Sequence, residues 1–314
     1  RRQQAYGDHR DAAERALAPK GRHADPMAYD PTSAAAADRF ASPHRGEQQQ
    51  PAESTIVIAA SPVAQWRAER GMPREIAALK AAQSSEERRA ALRDAHAALG
   101  GDVGLWRDNF LRLIAFPLSF TADGGDHALR HSALQTLRAV LTVDALRDQA
   151  AGQHEAILRA AVACLEDPFP EVQAEAVSCY REASSAFDAA DVLRSQLHIA
   201  EALLPMNARC LEFVLRELAA PFRRALDTGA RVPSSVLAQL APLVDVLTNA
   251  FGHHSSDIRK TAVLDFVDMY LALGDDLLPR LAHLSHSQLK LISIYVVRAA
   301  GGREPVDLCN RMID

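Results

Sequence analysis

Two histidine pairs and four cysteines are the first residues whose types and spacing could do chemistry. His283 and His286 lie three apart and His127 and His131 four apart, so either pair can present two imidazole nitrogens on one helical face. A tetrahedral metal needs further ligands, and no Cys, Asp or Glu stands at a recognisable metal spacing from either pair. Surface histidine beside a turn accounts for both; His253-His254, in the fifth intra-repeat turn, could contact a partner or be solvated, and no metal or cofactor is expected. Cys164, Cys179, Cys210 and Cys309 form no CxxC pair, and the first three fall on helical apolar positions where a thiol packs rather than reacts. The adjacent carboxylates Asp275-Asp276 open a helix, where their charge complements its dipole. There is no GxSxG elbow, no GxxxxGKS/T loop and no GxGxxG after a strand. No catalytic residue is assigned, and the chain reads as a non-enzyme.

Composition points the same way. A chain of 314 residues exceeds the roughly 250–300 at which one core stops growing, so two domains or a repeat array are expected. Apolar residues at 48% and charged residues at 24% exclude wholesale disorder. A net charge of −5 has the wrong sign for a protein that coats nucleic acid. The longest apolar runs, such as Leu291–Val297, fall far short of the roughly 20 residues of a membrane span. With no paired cysteine spacing and no secretory signal, a reducing cytoplasmic or nuclear setting is expected. The chain begins Arg1-Arg2 without methionine, which suggests the C-terminal piece of a longer polypeptide.

Its character changes near residue 73. Residues 1–73 hold seven of the 16 prolines and the run Gln48-Gln49-Gln50-Pro51, and they read as a mostly disordered linker rich in Pro, Gln and Ala. Within it, Gln3–Leu17 could form a short charged helix and Ser54–Ala60 a docking segment, while Ser42-Pro43 and Ser61-Pro62 are pairs of the kind proline-directed kinases use. Residues 74–300 are helical almost throughout, and 301–314 form a C-terminal tail. A serine cap, acids in the first turn and a closing glycine bracket Ser85–Gly100. Similar apolar stripes run over 103–118, 127–141, 154–165, 170–184, 189–203, 206–226, 234–251, 256–273 and 286–300. Gly, Pro and Asp mark the breaks, and no stretch alternates as a strand would. The fold class is all-α.

One pattern repeats. Leu129-Arg130-x-x-Ala133-Leu134-x-x-Leu137 lies 43 residues before Val172-Gln173-x-x-Ala176-Val177-x-x-Tyr180, and Ile258-Arg259-x-x-Ala262-Val263-x-x-Phe266 follows 86 residues later, each after an acidic turn. This suits the second helix of a HEAT repeat: a large apolar residue enters the core and a small alanine lets the paired helix approach. The copy between them breaks the spacing, and its second helix is expected to start at Pro205. Helix pairs over 74–300 number about six, as repeats of ~40–47 residues predict. The expectation is a HEAT-type α-solenoid.

Non-core residues then carry a family resemblance. Glu86-Glu87-Arg88-Arg89-Ala90-Ala91-Leu92 with Leu105-Trp106-Arg107-Asp108-Asn109-Phe110 resembles the opening of the C-terminal TOG-like domain of the CLIP-associating proteins (CLASP, Orbit or MAST). Ser255–Val263 is similar to that domain's penultimate repeat. Gly274-Asp275-Asp276-Leu277 and Lys290-Leu291-x-x-x-Tyr295-x-x-Arg298-Ala299 resemble its closing helices. The resemblance implies a microtubule-associated protein that regulates plus-end dynamics and acts at spindle, kinetochore and cortex. In it this domain docks plus-end partners of the CLIP type and kinetochore or cortical adaptors. The first intra-repeat turn, Ala82-Gln83-Ser84-Ser85, lacks the aromatic usual in tubulin-binding TOG domains, and Trp106 reads as core. Ser54-Thr55-Ile56-Val57 has valine where the family's end-binding motif has proline, and that site is not assigned.

Over 74–300 the chain holds 23 basic and 28 acidic residues, so a basic face for acidic tubulin is not favoured. The residues assigned to partner binding are Arg130, Arg209, Arg259, Lys260, Lys290, Tyr295 and Arg298, at second-helix starts and on the last repeat; Tyr295 could equally be core. The partner they suit is an α-helical or coiled-coil adaptor segment. Direct tubulin binding, or a generic HEAT scaffold unrelated to microtubules, are the alternatives.

Overall fold

The computed structural model describes residues 72–205 and 208–300. The linker, its two local segments and the C-terminal tail therefore lie outside the described residues, as does Pro205's continuation into the fourth second helix.

Among the described residues every regular element is helical. The first pair is α1 (Arg74–Ala81) and α2 (Ser85–Gly101), and the second is α3 (Val103–Phe120) and α4 (His127–Leu141). Then come α5 (Arg147–Ala151) and α6 (His154–Ala163) facing α7 (Pro170–Ala186), and α8 (Ala189–Leu203) facing α9 (Ala208–Leu218). An additional helix α10 (Ala220–Thr228) precedes α11 (Ser234–Leu237) and α12 (Leu240–Phe251), which face α13 (Ser256–Leu273). The last pair is α14 (Leu278–Leu281) and α15 (His286–Ala299). Six antiparallel pairs with α10 set between the fourth and fifth make a HEAT-type solenoid.

Local chemistry explains the starts. Ser84, one residue before the serine expected, closes a capping box on α2: its hydroxyl accepts from the Glu87 N–H while the Glu87 carboxylate reaches back to the cap. Asp126 and Asp188 cap α4 and α8, Pro170 pre-sets the first turn of α7, and Ser285 closes a second capping box with Gln288 on α15. The stripe over 206–226 is not one helix. Pro221 has no N–H to continue the ladder, and the chain breaks at Ala219 into α9 and α10. Helix α3 kinks at Asn109 (φ −127°, ψ 22°), whose side chain donates to the Leu105 carbonyl. Gln149 caps the Arg107 carbonyl beside the kink at 2.9 Å.

The repeated motif is the core. Leu129, Ala133, Leu134, Leu137, Val172, Ala176, Tyr180, Ile258, Ala262 and Phe266 are all fully buried. Among the motif's apolar residues Val177 alone is half-buried, and its helix is the one whose next second helix stands apart. Helices α2, α4 and α7 pack side by side, as do α9, α13 and α15. Between α7 and α9 the approach is made by side chains: Tyr180 meets Phe213 edge-on at 5.1 Å, and Arg181 reaches Glu217 at 3.3 Å. Trp106 is core, as expected, its indole N–H donating to the Ala95 carbonyl at 2.7 Å.

Candidate partner surface

Acidic turn residues and the arginines that follow them are consumed by one another. Arg88 of α2 pairs with Asp123 at 3.1 Å and Arg89 with Asp126 at 3.2 Å, both in the turn before α4. One repeat on, the Arg130 guanidinium donates to Asp167 Oδ2 at 2.5 Å and to the Asp123 carbonyl at 2.6 Å, and only 8% of the residue is exposed. Hydrogen bonding to Asp167 raises the Arg130 pKa. Burial works to raise the Asp167 carboxyl, but the Arg130 bond and the Phe169 N–H outweigh it and hold it below its ordinary value. Further along, Arg138 reaches Glu175 on α7 at 2.7 Å. These pairs stitch the first three repeats together, at the turn edge and, through Arg138, at the far end of α4.

The other assigned residues fall in three places. Arg259 folds back on its own turn, Nη1 donating to the His253 and His254 carbonyls at 2.7 Å each, and Lys260 beside it is half-buried. Arg209 is exposed at the start of α9. On α15, Lys290 and Arg298 are exposed on either side of Leu291 and Ile294, which are 37% and 40% exposed. Tyr295 is buried, with the Arg298 guanidinium 5.2 Å over its ring. The last helix thus gathers three of the seven assigned residues; Arg130, Arg209, Arg259 and Lys260 lie elsewhere along the array.

Two features escaped the sequence reading. Phe169, in the Pro-rich turn before α7, is 39% exposed and stacks on His127 at 3.9 Å, an aromatic at the third intra-repeat turn rather than the first. The second is a buried triad in which Arg223 of α10 lies 3.2 Å from Asp268 and 3.6 Å from Asp265 on α13. Its signal was legible: two acids three apart among the apolar residues of Val263–Tyr270 need a cation.

The remaining reactive groups are quiet. Burial pushes Cys164 and Cys210 up to about 11 and Cys179 to about 12. His283 bonds Thr248 at 2.9 Å, and His127 lies 3.8 Å from Glu171. Among the described residues no cluster of three or more His, Cys, Asp or Glu could hold a metal, and no helix is long and apolar enough to cross a membrane.

No protein-family model matches the chain. Among curated proteins it is similar to the CLIP-associated protein of Arabidopsis thaliana, 25% identical over 224 residues, which is 67% of this chain and 14% of that protein. CLIP-associating protein 1-B of Xenopus laevis is 25% identical over 210 residues, 63% of this chain and 13% of that protein. The chain is thus similar in sequence to the CLIP-associating proteins. Solved structures agree on the fold. A TOG domain studied for its tubulin-binding specificity superposes with a TM-score of 0.57 at 15% identity, covering 74% of this chain and 84% of that one. A TOG domain of Crescerin superposes at 0.55 and 17% identity, covering 73% and 90%. The chain spans about one seventh of the length of the curated relatives it matches.

Proposed function

We propose that this TOG-like array is the recruitment module of a microtubule-associated protein that regulates plus-end dynamics, at work on the cytoskeleton and the spindle. It docks plus-end partners of the CLIP type and kinetochore or cortical adaptors through a helical or coiled-coil segment. The observation that carries the reading is α15, where Leu291 and Ile294 are exposed between Lys290 and Arg298 at helical spacing. An amphipathic helix laid along this face would bury both aliphatic side chains and set acids against the two cations. The relatives' name supports the CLIP-type partner. The turn edge gives less support to tubulin, because Arg88, Arg89 and Arg130 are already matched by Asp123, Asp126 and Asp167.

Two binding assays on the 314-residue chain test this. A coiled-coil segment of a CLIP-type protein should be captured, and Leu291→Asp with Lys290→Glu should abolish capture without lowering the melting temperature. In gel filtration at low salt, αβ-tubulin should elute separately. Co-elution with tubulin that is lost on reversing the charge of Arg259 and Lys260 would make this a tubulin-binding domain and sink the adaptor reading.

A further inference from the structure

Where α7 and α9 stand apart, the side chains do not close the space. A cavity of about 250 Å³ remains between α7, α8, α9 and α10. Its apolar floor includes Val192 of α8 and Pro221 of α10, and Arg181 and Arg224 stand at its sides with Glu217. The volume is below the roughly 300–1,000 Å³ usual for cofactor-sized ligands and suits one or two side chains. Two arginines against one glutamate give it positive charge in a chain of net −5.

The polar groups lining it are incompletely used. Gln196 is 2% exposed, yet its Nε2–H donates to Ser184 Oγ at 3.3 Å, beyond the usual range. Beside it, the buried Tyr180 hydroxyl has no hydrogen-bond partner of good geometry among the described residues. A buried amide can both donate to and accept from a peptide backbone. Arg181 is 62% exposed beside a largely buried Glu217 (12%), and its guanidinium has further N–H donors to offer an incoming carboxylate.

We infer that this notch is a docking pocket for a short acidic segment of a partner protein, with an aliphatic side chain on Val192 and Pro221 and a carboxylate between Arg181 and Arg224. The inference rests on the recruitment reading and adds a second contact, remote in sequence from α15. It names the partner's chemistry: an aliphatic residue followed by Glu or Asp in an extended stretch.

Fluorescence anisotropy of the 314-residue chain tests it, with a labelled peptide pool Gly-Ser-X-Glu-X-Gly (X drawn from Ala, Val, Leu and Phe) and a matched pool with Gln for Glu. The Glu pool should bind at least tenfold more tightly than the Gln pool, and Arg224→Glu should remove that preference. Ala189→Leu, which fills the cavity from a half-buried position without removing a side-chain hydrogen bond, should weaken both pools with an unchanged melting temperature. Equal binding of the two pools, no binding of either, or a preference that survives both variants would overturn the pocket. A chain that ignores the peptides yet still captures the CLIP-type coiled coil loses only the notch. Loss of coiled-coil capture with the Glu preference intact sinks the recruitment reading of α15 instead.

Discussion

Helices α4 and α13 occupy equivalent places in their repeats, yet they live in different surroundings. On α4 the outward residues are half-buried and Gln135 is exposed, and its arginines reach sideways: Arg130 to Asp167 and Arg138 to Glu175. On α13 every residue from Thr261 to Tyr270 is buried, because α10 lies over the face that would otherwise meet solvent. The polar residues left on that face, Asp265 and Asp268, are answered by Arg223 from α10. The same ionic chemistry thus does two jobs. Along the turn edge it fixes the register of neighbouring repeats, through the buried Arg130–Asp167 pair and more exposed pairs beside it, and under α10 it permits an extra helix to be added over acids that could not be buried alone.

That contrast can be broken from its deepest point outward. Arg223→Ala leaves Asp265 and Asp268 in the interior without that guanidinium and should cost about 3–5 kcal/mol in chemical denaturation. Replacing all three by Met and Leu should recover most of the loss; a triple variant as unstable as Arg223→Ala would show that α10 is held by something other than the triad. Asp167→Asn comes next, at about 1.5–3 kcal/mol for a hydrogen bond between charged groups. Because the Asp167 carboxyl is held below its ordinary value, its contribution is complete above roughly pH 4 and drains away as pH falls through the lowered value. The variant should therefore flatten the acid limb of a stability–pH profile, whereas an unchanged limb would assign that limb to other carboxylates. Arg138→Ala, at a half-exposed pair, should cost less than about 1 kcal/mol by the same denaturation assay.

The thiols sharpen the same contrast at small cost. Cys164, Cys179 and Cys210 lie in the middle repeats, and burial raises all three. Iodoacetamide at pH 8 should leave them unmodified in the native protein and label them in denaturant, as read by peptide mass. Labelling of Cys210 alone in native protein would mark the α9 region as the part that opens most readily.

Much of this architecture was legible before any coordinates. The 43-residue recurrence marked residues that are buried, because apolar spacing on a helix reports which face meets a neighbour. Helices α4, α8 and α13 begin and end where their stripes do, since Asp126 and Asp188 cap the first two locally and Gly274, at φ 63°, closes the third. What could not be read was long-range. Pro221 was visible, but nothing local says that the helix after it turns onto α13. Arg130 follows an acidic turn in the sequence, and the same composition suits a free cationic ridge or an internal ladder; only the 2.5 Å contact with Asp167 decides that its charge points inward. Lys290 and Arg298 kept their exposure because α15 has no described second helix beyond it.

The joint between α7 and α9 has a mechanical consequence. Elsewhere, neighbouring second helices are laid against each other along their length, so pulling the array end to end must shear packed surfaces. At this joint the second-helix layer is spanned by an aromatic edge contact and an ion pair, Tyr180–Phe213 and Arg181–Glu217, with α8 as the hinge plate on the other side. Under tension the solenoid should behave as two stiff springs in series with a soft one between them. In an optical trap the first, low-force extension should come from this joint, well before either half unfolds.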